Sequence, residues 1–259
     1  MQRRVKRIDT PYGRVYAYGK GADAILMPSV TTILGSEPSQ YLTDLEEKIG
    51  KEELAKISER AAFRGTAMHK FLENYFICIQ QGGDSDRCLL YTQKKTPVEL
   101  KEEGIADDRI AYGRDLFYNF IHENVFEDIK GVLFTEQFLW SLHNKYAGTA
   151  DFGFICLTDE NIITDFKSAS GYRGEETVRK YKKQGAAYVI AFEEIYKKPI
   201  KNFQIWISTP EGMQIEILEG EELEIMKKEF LSLCKTFHDN WNVQPIREYY
   251  LQNYCTDSK

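Results

Sequence analysis

Residues 146–168 constrain the possible folds of this chain more than any other stretch. Two apolar segments rich in β-formers, 152–157 and 162–166, flank the polar residues 158–161, which is the pattern of two strands joined by a turn. Asp151 precedes the first segment, while Asp165 and Lys167 lie at the end of the second. Side chains two apart on a strand share a face, so Asp165 and Lys167 are predicted to point the same way.

The register of this predicted hairpin decides whether Asp151 joins them. If Leu157 pairs with Ile162 across a four-residue loop, Asp151 and Asp165 fall on opposite faces of the sheet. A three-residue loop, or a bulge in one strand, restores a shared face. Because bulges are over-represented beside active sites, we expect one of these two arrangements.

Two carboxylates and one ammonium have a specific use in chemistry on phosphates. Magnesium takes hard oxygen ligands and keeps several waters, so one or two carboxylates hold it against a phosphate. The ion polarises the phosphorus centre and lowers the pKa of a bound water. Lys167 would hold the nucleophilic water or offset charge developing on the phosphate. This arrangement is typical of divalent-metal nucleases, although Asp-x-Lys is common and a solvated hairpin with ordinary surface charges is the alternative.

Composition restricts the class of protein. The 259 residues, 42% hydrophobic and 29% charged, suit a globular protein of one large or two small domains with a sizeable core. No apolar run approaches membrane-spanning length, and the basic start lacks an apolar signal core, so a cytosolic location is expected, in a bacterium or a phage-infected host. A net charge of −6 argues against a coat protein held to nucleic acid by charge alone.

Cysteine usage predicts free thiols. The five cysteines are scattered, with no Cys-x-x-Cys pair. An odd number in a chain expected to be cytosolic indicates free thiols rather than a disulfide framework. The spacing also argues against a four-cysteine iron–sulfur cluster or zinc site. These residues are Cys78, Cys88, Cys156, Cys234 and Cys255.

Periodicity and turn residues predict one α/β domain over residues 1–259, with a mixed central β-sheet flanked by helices. Residues 1–27 are predicted to form a small β-meander, and residues 81–106 a loop insertion with a short helix. Ser29 is a plausible N-cap of a short helix. Further predicted helices cover 41–62, 64–80, 107–128, 175–197 and 221–241, and further strands cover 131–140, 146–157, 162–168, 201–208 and 213–218.

Three other residue sets are candidates for chemistry. His69, near the start of its helix, is either a metal ligand or a structural histidine satisfied by Glu73. Glu136 is a metal ligand, a carboxylate that holds a ligand or Lys167 in place, or a solvent-side strand residue. Gln184 and Tyr188, four apart and therefore on one helix face, would hold the scissile phosphate or stack on a base, or simply pack on the sheet.

Taken in order, these residues resemble the RecB-like branch of the PD-(D/E)XK nuclease superfamily. The start of the matching region is similar to the mitochondrial genome maintenance exonuclease family and its phage and bacterial relatives. The resemblance covers roughly residues 28–190. Its motifs are Pro28-Ser29-Val30-Thr31, Gly65-Thr66-x-x-His69, Glu136, Gly148-x-x-Asp151, Asp165-x-Lys167 and Gln184-x-x-x-Tyr188.

The resemblance implies a restriction-endonuclease-like core and a site for Mg²⁺ or Mn²⁺. The implied ligands are His69, Asp151, Asp165 and the backbone carbonyl of Phe166. Lys167 would assist the nucleophile, with Glu136 as a further catalytic carboxylate. Some relatives carry a four-cysteine iron–sulfur cluster; this chain lacks that pattern, which indicates the cluster-free exonuclease branch. The expected nucleic-acid contacts are Ser29, Thr31, Arg64, Lys180, Gln184 and Tyr188.

The sequence therefore predicts a metal-dependent DNA exonuclease acting on single strands or DNA ends, in replication, recombination or phage DNA processing. One alternative is a structure-dependent or site-specific endonuclease of the same core, and another is an inactive DNA-binding protein. The intact Asp151, Asp165 and Lys167 argue against the inactive protein. The chain has no phosphate-binding helicase loop, so unwinding would need a helicase, recombinase or single-strand-binding partner.

Overall fold

A five-stranded mixed sheet organises the computed structural model, which describes residues 5–38 and 40–255. Its strand order is β4-β5-β6-β7-β8, and every neighbouring pair is antiparallel except β6 and β7, which are parallel. The mixed central sheet predicted from the sequence is confirmed. The strands are β4 (Ile129–Ser141), β5 (Tyr146–Cys156), β6 (Asn161–Ser168), β7 (Asn202–Thr209) and β8 (Gly212–Glu219).

The β5–β6 hairpin has a three-residue loop, one of the two arrangements expected. Phe152 pairs with Thr164 and Ile155 with Asn161, and Cys156 N donates to Glu160 O at 3.0 Å. Residues 157–159 form the loop, with Asp159 in the left-handed region at φ 65°, as three-residue hairpin loops require. Continued by one residue beyond the Phe152–Thr164 pair, this register sets Asp151 opposite Asp165.

A second sheet, called here the accessory sheet, precedes the central one. It comprises β1 (Val5–Thr10), β2 (Gly13–Tyr18) and β3 (Ile25–Pro28), antiparallel in the order β1-β2-β3, which confirms the predicted β-meander. Ser29 follows β3, caps α1 (Val30–Gly35) by accepting from Thr32 N at 2.9 Å, and bridges to Ala147 of β5. The accessory sheet is thereby joined to the central sheet close to Gly148.

Helices cover both faces of the central sheet. On one face, α3 (Lys51–Gln80) and α5 (Asp107–His122) pack through an aromatic cluster that includes Phe76, Phe152 and Phe166. On the other face, α6 (Glu175–Tyr196) and α7 (Gly220–Asn240) pack against β5–β8. The remaining helices are α2 (Gln40–Ile49), α4 (Ser85–Glu102) and α8 (Gln244–Tyr254), of which α8 packs on the accessory sheet. No described helix has the length and apolarity needed to cross a membrane.

The predicted loop at residues 81–106 is wrong, because most of it is the 18-residue helix α4. Glycines before it and Pro97 within it suggested a loop. Asp84, however, caps the helix by accepting from Arg87 N at 2.9 Å, and the tertiary contacts of Cys88, Thr92, Thr96 and Leu100, all buried, outweigh the break that Pro97 introduces. The helix α8 was not predicted, although Pro245 at its first turn is a recognised helix start.

The expectation of five free thiols is also wrong. Cys78, near the end of α3, and Cys88, in the first turn of α4, form a disulfide with their Cα atoms 5.4 Å apart. The two helices fold back on each other, and this tertiary approach is invisible in a spacing of ten residues. Cys156, Cys234 and Cys255 are free.

Candidate metal centre and active site

The strand β6 presents Asp165 and Lys167 to α6, as their spacing predicted. Asp165 is 2% exposed, and its carboxylate forms an ion pair with the Lys167 ammonium. Gln184 of α6 links the two side chains, since its Oε1 accepts from Lys167 Nζ at 3.1 Å and its Nε2 donates to Asp165 Oδ1 at 3.3 Å. The amide of Gln184 therefore fixes both charged groups relative to one another.

Asp151 connects β5 to the backbone of β6 and to α3. Its Oδ2 accepts a hydrogen bond from Phe166 N at 2.7 Å, and its Oδ1 lies 3.7 Å from His69 Nδ1. The other ring nitrogen, His69 Nε2, lies 3.0 Å from the Phe166 carbonyl oxygen. The imidazole of His69 thus contacts two other predicted metal ligands, Asp151 and the Phe166 carbonyl.

Glu136 of β4 completes the cluster. The register pairs Thr135 with Phe152 and Gln137 with Ala150, which sets Glu136 opposite Asp151. Its backbone has φ 51°, a left-handed conformation that costs free energy for a residue other than glycine and is concentrated at functional sites. Glu136 is half-buried rather than a solvent-side strand residue, and one ligand atom each from His69, Glu136 and Asp151 all lie within 4.8 Å of one another.

The pleat of β5 is interrupted at this point. Phe152 packs in the aromatic cluster against α3, whereas Ala150, two residues earlier, packs in the cluster against α6. Side chains two apart on a regular strand would share a face. The strand therefore turns at Asp151, next to the left-handed Glu136, and this irregularity aims both carboxylates into one space.

Buried carboxylates that lie close together dominate the electrostatics of the cluster. Burial and the neighbouring charge of Asp151 raise the pKa of Glu136 to about 8. Burial, together with Asp151, raises the pKa of Asp165 to about 6 although the Lys167 charge opposes this. Like charges held together out of water disfavour ionisation, so a bound cation would stabilise the charged form of each carboxylate.

The donor set fits a divalent metal. His69, Glu136 and Asp151 supply one imidazole nitrogen and carboxylate oxygens at close range, and the Phe166 carbonyl oxygen lies beside the imidazole. Hard oxygen donors suit Mg²⁺ or Mn²⁺. Asp165 lies outside this group of three, and its carboxylate contacts Lys167 and Gln184. The structure thus makes Glu136 a candidate ligand, while Asp165 lies next to Lys167 and Gln184.

Tyr188 is placed by a close approach between α6 and β5. Its hydroxyl accepts from Gln184 Nε2 at 3.0 Å, and its ring passes so near Gly148 that a Cβ there would lie 2.7 Å from Tyr188 Cε1. The glycine of the Gly148-x-x-Asp151 motif makes room for this ring. Because Tyr188 is 3% exposed, its ring is covered by protein and unavailable for stacking on a base in this conformation.

These residues line an open cleft of about 330 Å³. Ser29 and Thr31 line it as predicted, with Ser29 buried and Thr31 exposed. Arg64 and Lys180 are not among its lining residues: the Arg64 guanidinium lies over the Tyr112 ring of α5, and Lys180 borders a separate depression beside Glu37 and Lys51.

The accessory sheet contributes lining residues that the sequence did not identify. They share no motif with the carboxylates, and the contact between the two sheets is what brings them to the cleft. They are Arg7, Arg14 and Tyr16, joined in the cleft by Thr149 and Ser168 of the central sheet.

Comparison with known proteins gives a distant likeness only. No protein-family model matches the sequence, and no curated protein matches it significantly. A crystal structure from Eubacterium rectale described as a "putative exonuclease" is similar with a TM-score of 0.49 and 15% identity, over 89% of this chain and 87% of that one. The crystal structure of SSO0001 has a TM-score of 0.33 and 14% identity, over 56% of this chain and 66% of that one, which is less than two thirds of its length. Neither likeness is close enough to carry function.

Proposed function

We propose that this protein is a divalent-metal-dependent nuclease, and that it acts as an exonuclease on linear single-stranded DNA or on DNA ends. The observation that carries the proposal is the clustering of Asp151, Glu136 and His69 next to the Asp165–Lys167 ion pair, inside a cleft open to solvent. Carboxylates, an imidazole and an ammonium in one polar cleft suit metal-assisted hydrolysis of a phosphodiester.

The chain offers a defined set of ligands for the metal. His69, Asp151, Glu136 and the Phe166 carbonyl would hold it. Asp165, which pairs with Lys167 in this structure, is a further ligand in the set that the family resemblance implies. When bound, the metal supplies charge stabilisation at the phosphate and a more acidic water. The resemblance to PD-(D/E)XK nucleases names Asp165 rather than Glu136 as the second carboxylate, and the two assignments differ in a testable way.

Lys167 is proposed to act on the nucleophile or on developing negative charge. Its ammonium is held at the edge of the cleft by Gln184 and Asp165, and the ring of Tyr181 lies 5.1 Å from it. Burial lowers the pKa of Lys167, but the neighbouring Asp165, Asp151 and Tyr181 outweigh it, so the pKa lies above its usual value. The group is therefore cationic at neutral pH and suited to electrostatic stabilisation rather than to removing a proton.

Substrate preference is proposed from charge and shape. A net charge of −6 provides little long-range attraction to stiff duplex DNA, whose binding relies on many phosphate contacts. A flexible strand can instead bend into a short cleft whose wall includes Ser29 and Thr31. DNA rather than RNA, and digestion from an end, rest on the family resemblance.

A comparison of four substrates tests the proposal. End-labelled linear single-stranded DNA, blunt duplex DNA, closed circular single-stranded DNA and single-stranded RNA are incubated with Mg²⁺, with Mn²⁺ and with EDTA. We expect rapid loss of linear single strands with either metal, slower loss of duplex, survival of circles and no cleavage with EDTA. Cleavage of circles would establish an endonuclease, and the absence of metal-dependent cleavage of any substrate would refute the nuclease.

A further inference from the structure

Two arginines of the accessory sheet lie on the wall of the candidate active-site cleft. The register of β1 with β2 pairs Arg7 with Tyr16 and Asp9 with Arg14. Directly opposed residues and residues two apart share a face of a sheet, so these four side chains form one polar face. Arg7, Arg14 and Tyr16 of this face line the same cleft as His69, Asp151 and Lys167.

Contacts to the central sheet fix this face relative to the carboxylates. The Tyr16 hydroxyl lies 3.3 Å from Thr149 Oγ1, two residues before Asp151. The Arg14 carbonyl accepts from Ser29 N at 3.3 Å and from Thr32 Oγ1 at 3.3 Å. Tyr16 is buried, so its anchor is shielded from solvent. The backbone that carries Arg14 therefore stays in place while the guanidinium reaches into the cleft.

The guanidinium groups are held by an anion that a phosphate can replace. Arg7 Nη2 lies 3.2 Å from Asp9 Oδ2, and Arg14 Nε lies 3.3 Å from Asp9 Oδ1. All three side chains are more than 40% exposed, and exposed ion pairs contribute little to stability. Guanidinium groups bind phosphate oxygens through paired charge-assisted hydrogen bonds, so Asp9 occupies a position suited to a phosphate.

These arginines also differ from the other basic side chains of the cleft. Among its described lining residues the basic side chains are His69, Lys167, Arg7 and Arg14. His69 pairs with Asp151, and Lys167 pairs with Asp165. In the part of the chain that the structure describes, the ion pairs of Arg7 and Arg14 with carboxylates are formed with Asp9 alone. A positive pair set apart from the reacting centre fits a phosphate other than the scissile one.

We propose that Arg7 and Arg14 form an arginine clamp for a non-scissile phosphate of the substrate strand, displacing Asp9 when the strand binds. The clamp rests on the proposed nuclease function and extends it, since it requires a substrate with at least two phosphates. It assigns to the accessory sheet the task of holding the strand while the central sheet carries the metal ligands. The sheet thereby sets the register of the strand at the metal centre.

The test uses the full chain with Arg7→Gln and Arg14→Gln combined, which removes both charges but keeps much of each side-chain stem. Binding of a fluorescent single-stranded 12-mer is measured with EDTA across a salt series. Losing charged hydrogen bonds should raise Kd by about tenfold or more, and losing one neutralised phosphate should reduce the slope of log K against log salt by about 0.7. Arg179→Gln is the matched control, because Arg179 is an exposed arginine paired with Glu229 that does not line the cleft.

A substrate with a single phosphodiester separates the clamp from the metal centre. Thymidine 5′-(p-nitrophenyl phosphate) offers no second phosphate, so its kcat/KM should be the same for the wild-type protein and the double variant. On the 12-mer, KM should rise with little change in kcat. Asp9→Asn should act in the opposite direction and tighten 12-mer binding, because it removes the competing anion.

The outcomes distinguish the clamp from the nuclease proposal. If the wild-type protein cleaves the 12-mer and the double variant has the same Kd, salt slope and KM as the wild type, the clamp alone is overturned. Clamp-dependent binding without metal-dependent cleavage would overturn the nuclease and leave a phosphate-binding site. Equal losses by the double variant on the 12-mer and on the single-phosphodiester substrate would also overturn the clamp, since they would show general damage to the cleft. Melting temperatures of the three variants identify any loss of fold.

Discussion

The His69 imidazole lies 3.0 Å from the Phe166 carbonyl oxygen, across 97 positions of sequence. Aromatic packing holds this contact: the Phe166 ring packs at 5.8 Å from Phe152 and at 6.3 Å from Phe76, which lies two turns beyond His69 on α3. The side of β6 that carries the Phe166 ring therefore helps to position α3, while the other side of the strand presents Asp165 and Lys167 to α6. Phe166 contributes its ring to the core and its carbonyl oxygen to the contact with His69.

Asp165→Asn should abolish activity without unfolding the protein. The neutral amide removes a negative charge from the proposed metal centre, and loss of several kcal/mol of transition-state stabilisation corresponds to about three orders of magnitude in kcat. Burial already makes the charge of Asp165 costly, so the melting temperature should change little. Asp115→Asn, at an exposed carboxylate of α5, is the control. Cleavage by folded Asp165→Asn protein near the wild-type rate would contradict the assignment.

Glu136→Gln distinguishes the two candidate ligand sets. If His69, Glu136 and Asp151 hold the metal, as their proximity indicates, the variant should weaken Mn²⁺ binding measured by calorimetry by about tenfold or more. If Asp165 serves as the second carboxylate ligand and Glu136 only adjoins it, Asp165→Asn should weaken Mn²⁺ binding more than Glu136→Gln does. Weaker binding in Asp165→Asn but not in Glu136→Gln would favour the ligand set of the family resemblance.

Lys167→Met should lower kcat far more than it weakens DNA binding. The ammonium lies beside Asp165 and Gln184, and its proposed role is to act at the reacting phosphate. Removing one such donor should cost roughly 10²–10³ in kcat. Lys182→Met is the control, because Lys182 lies on the same helix as Gln184 but pairs with Glu222 away from the cleft. Normal turnover with weakened binding would reduce Lys167 to a simple phosphate contact.

The sequence predicted the parts of the site that lie on regular elements. Asp165, Lys167 and Gln184 follow strand and helix periodicities, and the three-residue loop that aligns Asp151 was one of two arrangements the periodicity allowed. The left-handed backbone of Glu136 was not predictable, because tertiary packing rather than local propensity imposes it on a non-glycine residue.

The residues that reach the cleft from the accessory sheet were missed for a related reason. The β-meander itself followed from turn residues and short β-rich runs, but its orientation depends on the Tyr16–Thr149 contact and on the Ser29–Ala147 bridge. Sequence spacing carries no signal for either contact. Arg64 illustrates the opposite error, since its helix was predicted but the packing of Tyr112 directs its guanidinium elsewhere.

We predict that this protein binds no iron–sulfur cluster. Cys78 and Cys88 are joined to each other, while Cys156 and Cys234 are buried in separate clusters on opposite faces of the sheet. Anaerobically purified protein should therefore lack the visible absorption of such a cluster. Stoichiometric iron and labile sulfide would contradict this prediction and move the chain to the other branch of the resembled family.

The metal-induced gain in stability should grow with pH. Burial and neighbouring carboxylates raise the pKa of Glu136 to about 8. A folded-state pKa above the unfolded value favours the folded protein while the group is protonated, and this contribution is lost as pH rises through the folded pKa. The melting temperature in EDTA should thus fall as the pH rises from about 4.5, the usual pKa of the carboxyl group, to about 8, and should level off above that. Mg²⁺, which binds the deprotonated form, should raise the melting temperature most near pH 8 and above. Glu136→Gln should flatten the decline; an unchanged pH profile in that variant would assign the decline to another group.

Gly148→Ala should damage both stability and activity, while Gly131→Ala should damage neither. A Cβ at Gly148 would lie 2.7 Å from the Tyr188 ring and 3.3 Å from Val30, whereas a Cβ at Gly131 meets no heavy atom within 4 Å. Overpacking of a buried site costs about 1–3 kcal/mol, measurable by denaturant unfolding. Because the displaced Tyr188 hydroxyl holds Gln184, and Gln184 holds Lys167 and Asp165, kcat should fall beyond what partial unfolding explains.

Replacing Tyr188 with the smaller Leu in the Gly148→Ala background relieves the clash but does not restore the lost hydroxyl, so it should restore stability while leaving kcat low. Recovery of both would show that Tyr188 only fills space.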